Sequence, residues 1–129
     1  MTFKAGSEDE VHWSIKAWLE AVLPGCFVMH IANGFHAEGD RRERARHVAR
    51  LKSLGMVPGA ADLLIFTRDG RPFFIEVKRP KGGVVSDDQI AFGAAVTERQ
   101  VPWRVCVSVD EARQFLADIG IQTREAVAA

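Results

Sequence analysis

Asp62, Glu76 and Lys78 form the reactive set of this chain. Asp62 ends the turn Pro58-Gly59-Ala60-Ala61 and opens an apolar run from Leu63 to Phe66. Arg68-Asp69-Gly70-Arg71 breaks that run, and a second one, Pro72 to Val77, carries Glu76 and leads into Lys78. Residues two apart on a strand point to the same face, so Glu76 and Lys78 are neighbours. Charged residues enter such apolar strands when they are paired or bind a metal. Two carboxylates and a lysine on adjacent strands can hold a hard divalent cation and set a water against a phosphate. A plain salt-bridged surface is the competing reading, and the apolar flanks argue against it.

The turn between the runs decides whether the set can assemble. A two-residue loop at Asp69-Gly70 pairs Arg68 with Arg71 and turns Asp62 to the wrong face. A three-residue loop, Arg68 to Gly70, pairs Thr67 with Arg71 and sets Asp62 opposite Glu76. It also places Gly70 in the left-handed bulge position. The site therefore demands an odd loop or a bulge.

The elements that must carry these residues follow from periodicity and stop signals. Ser7-Glu8-Asp9-Glu10 begins a helix in which Val11, Ile15, Trp18, Leu19 and Val22 recur at helical spacing until Pro24-Gly25. Cys26 to Ala32 reads as a strand, followed by the turn signal Asn33-Gly34. Residues 40–54 read as a basic helix ended by Gly55, and the two apolar runs as a hairpin. Ser86 to Gln100 is a helix, Pro102 to Val107 a strand, and Ser108 to Ile119 a last helix stopped by Gly120. The order is αβαββαβα, which predicts an α/β fold with a mixed central sheet flanked by helices. The 129 residues suit one domain over 1–129, with a core of about 8–118 and a frayed tail over 121–129.

Composition narrows the setting. The polar, acidic start from Met1 to Glu10 carries no signal peptide pattern, and no apolar run approaches the ~20 residues of a membrane span. The expected location is the cytoplasm, for a bacterial chain or a phage-encoded one acting in its host, with no membrane partner and no nucleotide cofactor. Cys26 and Cys106 lack metal-type spacing and read as buried free thiols. His12, His30, His36 and His47 have no mutual spacing that suggests a zinc site. The net charge is zero but unevenly spread. Residues 40–52 hold six basic side chains against two acidic ones, a net +4, and residues 68–81 hold five against two, a net +3. Such a basic middle can attract a polyanion locally, though a solvated helix face reads the same way.

Taken together, the motifs resemble one family. Glu10 in the first helix, His30-Ile31-Ala32-Asn33-Gly34, Leu51-Lys52-Ser53-Leu54-Gly55 and Pro58-Gly59-Ala60-Ala61-Asp62 occur in its order. So do Phe74-Ile75-Glu76-Val77-Lys78-Arg79-Pro80-Lys81-Gly82 and Ser86-Asp87-Asp88-Gln89. The set resembles the VRR-NUC (virus-type replication-repair nuclease) branch of the PD-(D/E)xK nucleases, over about Glu8 to Leu116. Ala61 departs from the usual proline before the aspartate, and contributes no ligand atom. The resemblance implies a restriction-endonuclease-like core and a Mg²⁺- or Mn²⁺-dependent DNA endonuclease. Small stand-alone members resemble Holliday junction resolvases and often dimerise, so a homodimer is expected.

The resemblance and the residues together give these expected roles. Asp62, Glu76 and the Val77 carbonyl bind the metal, with Glu10 in its shell, directly or through water. Lys78 orients or deprotonates the attacking water, or stabilises developing charge. Glu10 has a rival role, since Ser7 and Glu10 form a capping box. Gln89 is expected at the site, and Ser86 with Gln89 is likewise a capping box; Ser108 with Glu111 is one and nothing more. Arg42, Arg46, Arg50, Lys52, Arg79 and Lys81 are candidate phosphate contacts, which position a duplex without reading sequence. No element offers an evident base-reading helix, so junction, flap or nicking activity is expected over sequence-specific cutting. The alternative is a catalytically silent DNA- or junction-binding module on the same fold. Trp13, Trp18, Phe92 and Trp103 are expected in the core or at a dimer contact.

Overall fold

The computed structural model describes residues 2–32 and 39–125; the expected turn at Asn33-Gly34, His36 and the last tail residues lie outside them. The elements come in the expected order: α1 (Glu8–Val22), β1 (Phe27–His30), α2 (Arg41–Ser53), β2 (Leu63–Phe66), β3 (Pro72–Val77), α3 (Asp87–Glu98), β4 (Trp103–Cys106) and α4 (Val109–Asp118). β2 and β3 keep the expected bounds; the ends of the other elements fall one or more residues inside the expected spans, the helices because capping residues such as Ser86 and Ser108 flank them.

The four strands make one mixed sheet in the order β1-β2-β3-β4. β1 and β3 run antiparallel to β2, while β4 runs parallel to β3. The parallel pair needs a crossover, and α3 supplies it.

Alternation along β3 sends its residues to two different environments. Phe73, Ile75 and Val77 join Leu63 and Ile65 of β2 on the face covered by α1 and α4. Val11, Ile15 and Leu19 of α1 meet Ala112, Phe115 and Leu116 of α4 there, and Phe73 stacks edge-on against Phe115 at 5.8 Å. Each fully buried side chain of this size stabilises the fold by about 1.5–3 kcal/mol. Phe74, Glu76 and Lys78 take the other face, where Phe92 of α3 meets Phe74 at 5.1 Å. α3 lies close because Gly93 has no side chain; a Cβ there would come within 2.6 Å of the Trp103 ring.

The hairpin has the register that the site requires. Phe66 pairs with Pro72 and Leu63 with Ile75, so one further step sets Asp62 opposite Glu76. The Thr67 N–H donates to the Arg71 carbonyl at 2.9 Å, and Gly70 closes the three-residue turn at a φ of 88°.

Two expectations change on the structure. The tail does not fray at its start: Ile121 is buried, and the Arg124 N–H donates to the Val22 carbonyl at 2.6 Å. An apolar residue just past the Gly120 stop packs back onto the core, which the stop signal alone does not show. Cys26 is half-buried rather than buried, while Cys106 is buried, and both are free. Of the aromatic residues expected in the core or at a dimer contact, Trp18, Phe92 and Trp103 are packed within the fold, while Trp13 stands exposed. Among the described residues no helix is long and apolar enough to cross a membrane.

Candidate active site

The reactive set gathers at the ends of β2 and β3. Asp62 accepts the Val77 N–H on Oδ2 at 2.7 Å, while its own carbonyl takes the Ile31 N–H at 2.7 Å. These bonds tie the carboxylate to β3 and to the end of β1. Glu76 is 1% exposed. Its Oε1 accepts from Gln89 Nε2 at 2.9 Å and lies 3.8 Å from Lys78 Nζ, whereas its Oε2 is buried without a partner. The Glu76 carboxyl is pushed up to about 8, first by burial and then by the Asp62 charge. Lys78 opposes that rise. Burial and the neighbouring Asp62 charge both disfavour the ionised form of Glu76.

Gln89 makes two sets of contacts. Its Oε1 accepts the Ser86 N–H at 2.9 Å and its N–H donates to Ser86 Oγ at 3.2 Å, closing the capping box. The same side chain spends its amide on Glu76. One residue therefore starts α3 and orients a carboxylate.

Glu10 makes the helix-start contacts of its rival role. Its Oε1 accepts the Gly6 N–H at 2.9 Å, and its N–H donates to Ser7 Oγ at 3.1 Å, so it closes its own helix start. Two residues along a helix are roughly 200° round its axis, so Glu8 and Glu10 face opposite ways. Glu8 is the one turned to the site: burial raises its carboxyl, and the Asp62 charge raises it further. Sequence reasoning passed over Glu8 although a signal existed: Glu8 lies three and seven residues before Val11 and Ile15, on the side of α1 where those residues are buried.

The basic residues separate into groups. Lys4, Glu8, Lys78, Arg79 and Gly82 line a cleft of about 520 Å³, with Arg79 held by the Gly82 carbonyl at 3.1 Å. Lys52 lines a second cleft, of about 390 Å³, with Val48, Met56, Asp62, Asp88 and Gln89. Arg42, Arg46, Arg50 and Lys81 are exposed and line neither. Behind Asp62, His12 of α1 meets His30 of β1 edge-on at 4.6 Å, and burial followed by the His30 charge lowers His12. Among the described residues no three His, Cys, Asp or Glu side chains already converge on one metal position.

The ends of β2 and β3 thus bring an aspartate, a glutamate and a lysine together on one face of a mixed sheet. The VRR-NUC domain profile matches residues 8–110. The chain thus belongs to the VRR-NUC domain family, and its fold is of nuclease type. A solved structure described as a VRR_NUC domain protein is 16% identical, with a TM-score of 0.62 over 98% of this chain and 99% of that one. No curated protein matches the sequence.

The raised Glu76 makes a prediction that needs no activity. The unfolded carboxyl titrates near 4.5 and the folded one near 8, so the folded chain holds the extra proton. That contribution is complete below pH 4.5 and is lost as pH rises through 8. In EDTA, thermal melts are expected to fall across this window. Glu76→Gln should flatten the profile and melt higher than wild type at the alkaline end. A variant that melts lower at every pH would contradict the orphaned-carboxylate account.

Proposed function

We propose that the chain is a divalent-metal-dependent DNA endonuclease that selects branched or interrupted DNA. The observation that carries this reading is the buried Glu76 carboxylate, with an unpartnered oxygen beside Asp62 and Lys78 on the same face. A fixed anionic pair of this kind fits a hard cation. Mg²⁺ and Mn²⁺ suit it, because they bind through one or two carboxylates and keep waters and substrate phosphate as their other ligands. Asp62 and Glu76 would hold the cation, with the Val77 carbonyl between them and Glu8 reaching the shell. When bound, the cation makes a water nucleophilic near neutral pH and offsets phosphate charge.

The chain's own groups do the rest. Gln89 fixes one Glu76 oxygen and leaves the other for the cation. Lys78, held beside Glu76 on a strand, orients the attacking water and meets charge as it grows on the phosphate. Arg79, Lys81 and Lys52 with the α2 arginines Arg42, Arg46 and Arg50 grip phosphates, which sets the strand in place without reading its sequence.

A nicking assay on supercoiled, flapped and four-way-junction DNA tests the proposal. Cleavage with Mg²⁺ or Mn²⁺ that EDTA abolishes is expected. Binding without cleavage at any cation would instead make the chain a silent DNA-binding module.

A homodimer follows from the same reading, since cutting two strands symmetrically takes two sites about a two-fold axis. In support, Phe27 at 61%, Met29 at 40% and Phe66 at 36% exposure lie on the sheet face that α3 leaves uncovered, beside the open edge of β1. Sedimentation at micromolar protein is expected to give twice the 14.3 kDa chain mass. A single species at monomer mass, with or without junction DNA, would leave nicking or flap cutting as the better activity.

A further inference from the structure

The two clefts that flank the carboxylates differ in chemistry. The one beside Glu8 carries Lys4, Lys78 and Arg79 against a single acid, and suits the phosphate backbone. The one beside Asp62 sets Lys52 against Asp62 and Asp88, and its walls include the apolar Val48, Met56 and Pro58. Two acids to one base disfavour a phosphate deep inside it and leave the exposed Lys52 as its one basic contact for a phosphate. An apolar-walled slot with a carboxylate acceptor suits a flat, neutral ring that carries an amino group. Its volume of about 390 Å³ falls in the range of small-ligand sites.

We propose that this cleft, between α2 and the start of α3, takes an unpaired nucleobase next to the scissile phosphate. The proposal rests on the endonuclease reading and deepens it, because it names what the site selects. A base stacked in a duplex must be unpaired and unstacked before it can enter, whereas a base at a flap, gap or junction centre has already lost those contacts. Val48, Met56 and Pro58 would enclose the ring, Asp88 would accept from an exocyclic amino group, and Lys52 would hold the phosphate of the same nucleotide. Gln89 is not a reader, since its oxygen is spent on Ser86 and its amide on Glu76. Selection by structure would then come from the reach of a loose base rather than from a sequence code.

The test uses the whole chain and first maps its cuts on flapped, nicked and four-way-junction DNA with Mg²⁺ or Mn²⁺. In the substrate cut best, the nucleotide on each side of the cut is then replaced in turn by an abasic residue. Val48→Trp fills the cleft from a helix that contributes no buried residue, so the core is untouched. An abasic residue on one side is expected to lower kcat/KM about tenfold. Val48→Trp should match that loss on the intact substrate and add nothing on the abasic one. Met56→Trp, from the opposite wall, should behave the same way. Effects within about twofold, or losses that multiply, would overturn the base site while leaving the nuclease standing. If wild type cuts none of these DNAs, the nuclease reading fails and the base site is judged alone. A single-stranded oligonucleotide carrying 2-aminopurine, in EDTA, should then change fluorescence on binding wild type but not Val48→Trp. No change with wild type would refute the site.

Discussion

Lys78→Ala is expected to lower the rate of DNA cleavage by at least about a hundredfold while DNA binding stays within a few-fold of wild type. Lys78 Nζ lies 3.8 Å from Glu76 Oε1, and the side chain is largely shielded from solvent. The backbone of β3 does not depend on that side chain, since the Lys78 N–H is held by the Cys106 carbonyl at 3.1 Å. The substitution therefore removes a charge and leaves the strand in place. It has one side effect. Lys78 lowers the Glu76 titration, so its loss raises that titration and weakens the grip on a cation at neutral pH. Mn²⁺ affinity and cleavage should for that reason be compared at alkaline pH, where Glu76 is ionised in both proteins. Cleavage by Lys78→Ala within a few-fold of wild type there would remove Lys78 from the mechanism. A lost Mn²⁺ affinity at that pH would make it a support for Glu76 instead.

Gly59→Ala is expected to be the most damaging single-methyl change in the chain. Gly59 has a φ of +76°, which costs an L-residue about 1–2 kcal/mol. A Cβ at that position would also stand 2.3 Å from the Asp88 carbonyl carbon and 2.5 Å from the Gln89 nitrogen. Those are backbone atoms in the first turn of α3, so no flexible tip can yield. The turn before Asp62 and the helix that carries Gln89 would have to part, and Gln89 would be drawn off Glu76. Gly55 and Gly70 supply the control. Both have positive φ, 107° and 88°, but open space where a Cβ would stand. Gly55→Ala and Gly70→Ala therefore report backbone strain alone. In thermal melts Gly59→Ala should lose clearly more than either, and cleavage should fall with it. Equal losses in all three would show that the close packing of the turn on α3 carries no weight.

The legible parts of this molecule are those that one local rule decides. The face shared by Glu76 and Lys78 follows from the two-residue period of a strand, and the hairpin register from the need to bring Asp62 across. Ser86 and Gln89 announce a capping box by spacing, and the structure adds that the amide left over reaches Glu76. Glu8 was within reach of the same reasoning, because it continues the buried stripe of Val11 and Ile15. A motif match drew attention to Glu10, while helical geometry turns Glu8 toward Asp62. Other features were not readable from local pattern. Whether Trp18, Phe92 and Trp103 point inward depends on which helix covers which face. The seat of Ile121 beneath the last helix depends on a cavity that several elements build together. The two clefts are likewise properties of elements far apart in the chain.

α2 stands apart from this packing, and the difference bears on how the chain would meet a polyanion. The helix is 13 residues long and buries no side chain. Helices of about 12–15 residues are marginal in water on their own. Arg42, Arg46 and Arg50 follow one another at four-residue steps along one side, and like charges at that spacing each cost about 0.2–0.5 kcal/mol. Asp40 works the other way, accepting the Glu43 N–H at 2.9 Å to cap the start. The balance makes α2 the element whose amides should exchange with solvent soonest, by local opening well short of global unfolding. A string of phosphates laid against the arginines cancels their repulsion and so favours the helical form. Order in α2 and occupancy of its basic side are then two readings of one equilibrium. Salt, which screens the repulsion and competes for the same arginines, acts on that equilibrium from both ends.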